Sequence, residues 1–251
     1  MIDVFDLHKV YQQTVAVAGL TFRVGSGQII GLLGPNGAGK TTTLRALAGI
    51  IPPTRGRLVV AGHDVVTDPV AAKRQLAYVP DDPKLFDALT VWEHLKFIAS
   101  AYQVNDFRAT AERLLGQFEL IEHRQKLGQE LSRGMRQKVA ICCAYLHAPR
   151  AILVDEPLSG LDPRGIRTMK QSLRDRAAAG AAVIISSHLL ALVEDLCSHL
   201  LILDRGQQLF YGTMADARAA FAGAAADSSL EEVFFSVTEG AGSAAGPPPA
   251  V

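Results

Sequence analysis

Gly34-Pro35-Asn36-Gly37-Ala38-Gly39-Lys40-Thr41-Thr42 constrains this chain more than any other stretch. It fits the pattern G-x-x-x-x-G-K-[ST] and lies between an apolar run, Ile29 to Leu33, and a helix-like segment, Thr42 to Leu47. Glycines let such a loop turn so that successive backbone N–H groups converge on phosphate oxygens, and the following helix adds the positive end of its dipole. Lys40 is then expected to reach the β- and γ-phosphates of a nucleotide, and Thr41 to offer its hydroxyl to Mg²⁺. A glycine-rich turn before an ordinary helix is the alternative. From average usage a chance match arises in about one chain in a hundred, and the flanking strand and helix reduce that further.

The 251 residues, 49% of them hydrophobic, suffice for one mid-sized domain or a core with one inserted subdomain. Basic and acidic residues balance at 25 each, so the overall charge points neither to nucleic acid nor to an anionic membrane surface. Cys142, Cys143 and Cys197 are an odd count without metal spacing and read as buried thiols in a reducing cytoplasm. Met1 to Asp6 has neither the basic start nor the apolar core of a leader, and no run approaches the roughly 18 apolar residues of a membrane span. If the protein works at a membrane, a partner is expected to do the spanning.

Taken in order, Ile2 to Val10 and Val15 to Val24 read as strands of a β meander leading into the phosphate-loop strand, with Tyr11-Gln12-Gln13 between them. Tyr11 is either an aromatic face for an adenine or a turn tyrosine on the sheet surface. Pro52 to Gly56 breaks the helix after the loop. A strand is expected over Arg57 to Gly62, a short helix over Ala71 to Gln75, and a buried strand over Leu76 to Val79, stopped by Pro80. The character then changes. Thr90 to Tyr102, Phe107 to Phe118 and Arg133 to Leu146 carry apolar residues at helical spacing, with Thr90 and Ser132 as N-caps, which reads as a helical insertion. Trp92, Leu95, Phe97 and Ile98 face either the core or a partner.

Ala151-Ile152-Leu153-Val154-Asp155-Glu156-Pro157 resumes the α/β pattern. An apolar strand ending in an acid completes a phosphate-loop site, because the carboxylate at the strand's end can hold the Mg²⁺ that bridges the phosphates. Asp155 takes that role. Glu156, one residue on, can accept a proton from an attacking water and is the candidate general base. Ser159-Gly160-Leu161-Asp162-Pro163 leads into a helix from Arg164 to Ala179. Ala182 to Ser187 is a further buried strand, with His188 at its end where it could sense a γ-phosphate.

These residues, together with Leu131-Ser132-Arg133-Gly134-Met135-Arg136-Gln137, resemble an ATP-binding cassette (ABC) ATPase, the nucleotide-binding subunit of an ABC transporter. The likeness runs to about Phe235, and its most specific element is the last heptapeptide, similar to the family's LSGGQ signature. Ser132 and Gly134 there would offer a hydroxyl and backbone N–H groups at a helix N-terminus, an anion site. The resemblance implies that two cassettes sandwich two ATPs head to tail. It marks Tyr11 as the adenine-stacking aromatic, Glu156 as catalytic base, Ser159 to Asp162 as the dimer-contact loop and His188 as the switch histidine. The fold it implies is α/β, a P-loop NTPase (RecA-like) core with an antiparallel β subdomain and an inserted helical subdomain.

Two departures from the family pattern stand out. Most members place a glutamine where this chain has Asp81, a shorter and charged side chain that can still ligate Mg²⁺ or orient water. The signature carries Arg133 for the first glycine and Met135 for glutamine, while Ser132 and Gly134 are kept. The variant signature resembles the ABC-2 class of exporters. The resemblance therefore implies a hydrolytic subunit using ATP and Mg²⁺, with a second ATPase subunit and a separate transmembrane permease as partners. It also implies a place on the cytoplasmic face of the membrane, with no nucleic acid bound. A permease is expected to dock between Asp81 and Tyr102, with Pro83, Leu85 and Phe86 beneath it. A free-standing translation or DNA-repair ATPase would be expected to show paired cassettes, a coiled-coil insertion or a basic arm. A small-molecule kinase would not account for Ser132, Gly134 or His188.

The expected organisation is one ATPase domain over 1–220, with an α/β core at 1–82 and 149–220 and a helical subdomain at 83–148. Leu200 to Leu203 and Gln208 to Tyr211 read as a hairpin, and a helix follows Gly212-Thr213. A helical extension is expected over 221–239 and a disordered Ala, Gly and Pro tail over 240–251. His8, His63, His94, His123, His147 and His199 lack ligand spacing and read as surface or satisfied core residues.

Overall fold

The computed structural model describes residues 1–221 and Glu231. The expected extension over 221–239, apart from Phe221 and Glu231, and the tail over 240–251 lie outside the described residues.

The chain opens with β1 (Ile2–Tyr11) and β2 (Thr14–Val24), an antiparallel pair whose inward residues, Ile2, Val4, Leu7, Val17, Leu20, Phe22 and Val24, are buried. Their alternation leaves one face to cover. The next strand, β3 (Ile29–Leu33), is buried at every position and therefore needs cover on both faces. The expected antiparallel pair is formed, but the phosphate-loop strand lies in a different sheet. After β2 the chain leaves the first sheet through a turn at Gly25 to Gln28, and β3 runs parallel to strands from the far half of the chain.

The phosphate loop follows, then α1 (Lys40–Leu47), β4 (Arg55–Val60), the two-residue β5 (His63–Asp64), α2 (Pro69–Arg74) and β6 (Leu76–Val79). Helices α3 (Val91–Tyr102), α4 (Phe107–Gln117) and α5 (Arg133–Tyr145) come next. The remaining elements are β7 (Ala151–Asp155), α6 (Pro163–Ala178), β8 (Ala182–Ser186), α7 (Leu190–Leu196), β9 (His199–Asp204), β10 (Gln207–Thr213) and α8 (Met214–Phe221). One sheet has the order β2-β1-β4-β5 and is antiparallel where pairings are seen. The other has the order β10-β9-β3-β8-β7-β6, parallel from β9 to β6, with β10 folded back as a hairpin on β9.

The central sheet divides two hydrophobic cores, and the two-residue period of its strands decides which side chain enters which. Ile30, Leu32, Leu153 and Ile184 join Leu44 and Leu47 of α1 and the antiparallel sheet. Ile29, Leu33, Ile152, Val154, Val183 and Ile185 join the helices on the other face. On that face α7 lies so close to β3 that a Cβ on Gly31 would collide with Val193. No periodicity announces α7, because seven residues are too short for a helical repeat to show.

The helical part starts where the two expected caps place it. Thr90 accepts from the Glu93 amide at 3.2 Å while Glu93 accepts in return from the Thr90 amide at 2.8 Å, a reciprocal cap. Ser132 accepts from the Met135 amide at 3.3 Å. Leu95, Ala99, Leu114, Leu115, Phe118, Val139, Cys142 and Tyr145 close the core between the three helices. Trp92 and Ile98 are half-buried against it, but Phe97 is 51% exposed and belongs to the surface. Cys142 and Cys197 are buried and Cys143 half-buried; burial pushes all three thiols up, Cys143 and Cys197 to about 12, which leaves them unreactive. His94 is buried and satisfied by the Thr90 carbonyl and the Phe86 amide. His147 differs from expectation: its Nε2 meets the Leu76 carbonyl, but its buried Nδ1 has no partner among the described residues.

Candidate functional site: a phosphate loop at the end of a parallel sheet

The loop follows the carboxyl end of β3, and its glycines are dictated by crowding. Gly34 has φ 153, and a Cβ there would strike the Leu203 carbonyl of β9. Gly39, with φ 102, is the N-cap of α1 and offers no side chain to the first turn. The helix's leading N–H groups therefore have no side-chain cap, which is the arrangement an anion uses. Lys40 is buried, and its Nζ donates to the carbonyls of Gly34 at 2.6 Å and Pro35 at 3.1 Å. Burial pushes its ammonium down, while Glu156 and Asp155 work in the opposite direction.

Asn36, Gly37, Ala38, Gly39, Lys40, Thr41 and Thr42 form one wall of a polar pocket. The other wall is Asp81, Asp155, Glu156 and Ser186, with Ala16 at the edge. Residues expected from three separate motifs thus meet in space. Asp155 is 4% exposed and accepts from the Tyr78 hydroxyl at 3.4 Å. Burial first, and Asp155 second, push the Tyr78 phenol up to about 12, so it stays a donor. Ser186 pairs with Asp155 across β7 and β8, and its buried Oγ has no partner among the described residues.

These donors fit a hard divalent cation: the Thr41 hydroxyl and the Asp81 and Asp155 carboxylates are oxygen ligands, with the Ser186 hydroxyl unspent beside them. Among the described residues no three His, Cys, Asp or Glu side chains form a self-sufficient metal site. Phosphate oxygens and water would complete the shell, as is usual for Mg²⁺.

Glu156 stands just beyond the strand with φ 46, a left-handed conformation that costs a non-glycine residue about 1 kcal/mol. Its amide donates to the Ser186 carbonyl at 2.9 Å, which ties the turn to β8. Its Oε2 lies 2.9 Å from His188 Nδ1 and 3.4 Å from the Ser187 hydroxyl. The histidine is largely exposed while the carboxylate is largely covered.

Not every expected residue converges here. Tyr11 is exposed at the end of β1, with the Lys9 ammonium 4.9 Å from its ring centroid, and is not part of the pocket lining. Ser132, Gly134 and Asp162 form a second locus. The Gly134 backbone is pressed against the Gly160 carbonyl, leaving no room for a Cβ. Asp162 caps α6 by accepting from the Gly165 amide at 3.2 Å, and Lys138 stands 3.4 Å away. Burial raises the Asp162 carboxyl, but the Gly165 amide and the Lys138 ammonium outweigh it and hold the group below its ordinary value. Ala16, Tyr78 and Ser186 are additions to the expected set. Ser186 has a faint signal in the polar end of an apolar strand; the other two have none.

The family profile for ABC transporters matches residues 17–159, more than half of the chain. This chain belongs to that family. The ABC-type transporter ATP-binding protein EcsA of Bacillus subtilis is 34% identical, over 95% of this chain and 97% of that protein. The linearmycin resistance ATP-binding protein LnrL of the same organism is 31% identical, over 86% of this chain and 70% of its own length. A solved structure of the ATP-binding subunit of an ABC transporter superposes with a TM-score of 0.89 at 35% identity, covering 95% of this chain and 99% of that one. The chain is therefore an ABC ATPase, and its two sheets and inserted helices are that family's fold. Among the described residues no helix is long and apolar enough to cross a membrane.

Proposed function

We propose that this ABC ATPase hydrolyses Mg²⁺-ATP to drive an ABC-2 type exporter, with Glu156 as the general base. The observation that carries this is the contact of Glu156 with His188 at 2.9 Å beside the phosphate loop. The carboxylate lies where it can take a proton from water, and the imidazole Nδ1 orients it through one oxygen, leaving the other for the water. Lys40 neutralises the β- and γ-phosphates, and the bare N-terminus of α1 adds oriented N–H groups. Thr41, Asp155 and Asp81 would hold Mg²⁺, which when bound neutralises charge developing on the phosphates. Tyr11, exposed at the end of β1, is the proposed adenine platform.

Ser132, Gly134 and Asp162 stand apart from the pocket of their own chain, which supports a role across a dimer, where each subunit completes its partner's site. Export is favoured by the variant signature and by the linearmycin-resistance designation of LnrL. The permease is proposed to dock in an apolar cleft lined by Pro83, Leu85, Phe86, Phe97, Ile98 and Tyr102, which would hold the ATPase on the cytoplasmic face of the membrane.

Replacing Glu156 by Gln tests the reading. ATP affinity is expected to persist while turnover falls by roughly 10²–10⁴-fold, as for loss of a general base, and an ATP-dependent dimer is expected to accumulate in size-exclusion chromatography. Turnover near that of the parent protein would assign the base to another residue.

A further inference from the structure

The two departures from the family pattern, Arg133 and Asp81, meet in the fold. Arg133 is the first residue of α5, and one terminal nitrogen of its guanidinium donates to Asp81 Oδ1 at 3.1 Å and to Ser159 Oγ at 2.7 Å. These partners lie 52 and 26 positions away in sequence. One side chain thus joins the segment after β6, the start of α5 and the loop after Glu156. Two other contacts press the same surfaces together: the Gly134 backbone against the Gly160 carbonyl, and Lys138 Nζ 3.4 Å from Asp162. α5 therefore grips the loop from Ser159 to Asp162 at both ends, and Arg133 adds Asp81 to the grip.

Charge explains why the two departures belong together. Asp81 brings a third carboxylate into a pocket that already holds Asp155 and Glu156. A guanidinium beside it restores the balance that an uncharged glutamine would not need. A glycine at 133 would supply neither the charge nor the reach to Ser159. Both side chains are about half exposed, 54% for Arg133 and 47% for Asp81, so the pair adds little to stability. Its effect is on orientation.

We infer that Arg133 is a positioning residue for ATP hydrolysis. It fixes the Asp81 carboxylate and the Ser159 loop on α5, so that the segment facing the metal and the loop facing the second subunit move with the signature helix as one body. The inference rests on the proposed roles of Asp81 and of the Ser159 to Asp162 loop.

The test is a cycle of Arg133→Gly, Asp81→Gln and the double variant in the full chain, reading ATP turnover, the ATP concentration at half-saturation and amide exchange. Each single substitution is expected to lower kcat by about fivefold, the upper range for an exposed ion pair. The double variant is expected to regain most of that loss, since a neutral pair replaces a charged one. In Arg133→Gly the half-saturating ATP concentration is expected to stay within about twofold, because the guanidinium does not line the nucleotide pocket, while amides 159–162 exchange faster. Arg133→Gln, which removes the charge and is too short to bridge Asp81 and Ser159 but keeps a helix-forming side chain, is expected to match Arg133→Gly in kcat and serves if the glycine frays α5. Losses that simply multiply in the double variant, or unchanged exchange over 159–162, would overturn the inference. That failure is distinguishable from failure of the underlying reading, because Glu156→Gln would still abolish turnover.

Discussion

The pocket around Lys40 and the cleft beside Phe86 lie on either side of one short segment, the end of β6 and the residues after it. Tyr78, Pro80 and Pro83 line the apolar cleft, while Asp81 lines the polar pocket. The two surfaces are built in opposite ways. The polar pocket draws most of its groups from one unbroken loop, because converging N–H groups on a phosphate requires consecutive residues in fixed conformations. The apolar cleft collects side chains from β6, α3 and α5, and an apolar surface is defined by area and shape rather than by any set order of residues. Tyr78 touches both, lining the cleft with its ring and donating to Asp155 with its hydroxyl.

That contrast can be broken at three points. The largest effect is expected from Lys40→Ala. Loss of a buried cation from two phosphates removes charge-assisted bonds of about 1.5–3 kcal/mol each, so ATP affinity or turnover should fall by at least about 10²-fold. Circular dichroism, and recruitment to membranes carrying the permease, should be unchanged. Unaltered affinity and turnover would remove Lys40 from the site.

Next is Phe86→Asp. Phe86 is 55% exposed and packs edge-on against Phe97 at 5.5 Å between centroids, an arrangement suited to anchoring a partner. A charge there should weaken recruitment by about 30-fold, the loss of one anchor of about 2 kcal/mol, and leave ATP turnover of the isolated subunit within about twofold. Loss of soluble expression would make Phe86 a core residue. Undiminished recruitment would put the docking surface elsewhere.

Tyr78→Phe should have the smallest effect. It removes one long hydrogen bond to Asp155, worth about 0.5 kcal/mol, so turnover should change about twofold while recruitment holds. Recruitment that falls as far as turnover would show that the two surfaces are not separable.

The same contrast explains what the sequence can disclose. Gly34 to Thr42 and Ala151 to Glu156 are consecutive residues with a fixed chemical job, legible from residue types and spacing, whereas Leu131 to Gln137 is legible only through its resemblance to the family signature. Strand Leu76–Val79 matches its expected bounds, since an apolar run between a helix and a proline leaves little choice. The placement of β3 in the second sheet is not legible in this way, because a fully apolar strand states that it is buried but not between which neighbours. The exposure of Phe97 is hidden for a similar reason: helical spacing gives a face, and a wide apolar face can serve the core and the surface together. Arg133 and Asp81 stand in the sequence as two separate oddities. Only the fold makes them one contact.

The close seat of α7 on β3 has a mechanical consequence. Gly31 leaves no gap for α7 to slide into, and Ser186 is locked in the centre of the sheet, so His188 hangs between two fixed posts. Residues 187–189 span that gap, and three residues reach no more than about 11 Å when fully extended. Within them the Leu189 amide is already tied to the Ser187 hydroxyl at 3.1 Å. His188 is on a short leash, so any response of its ring to a ligand in the pocket is confined to a small rotation of ring and backbone rather than the excursion of a loop.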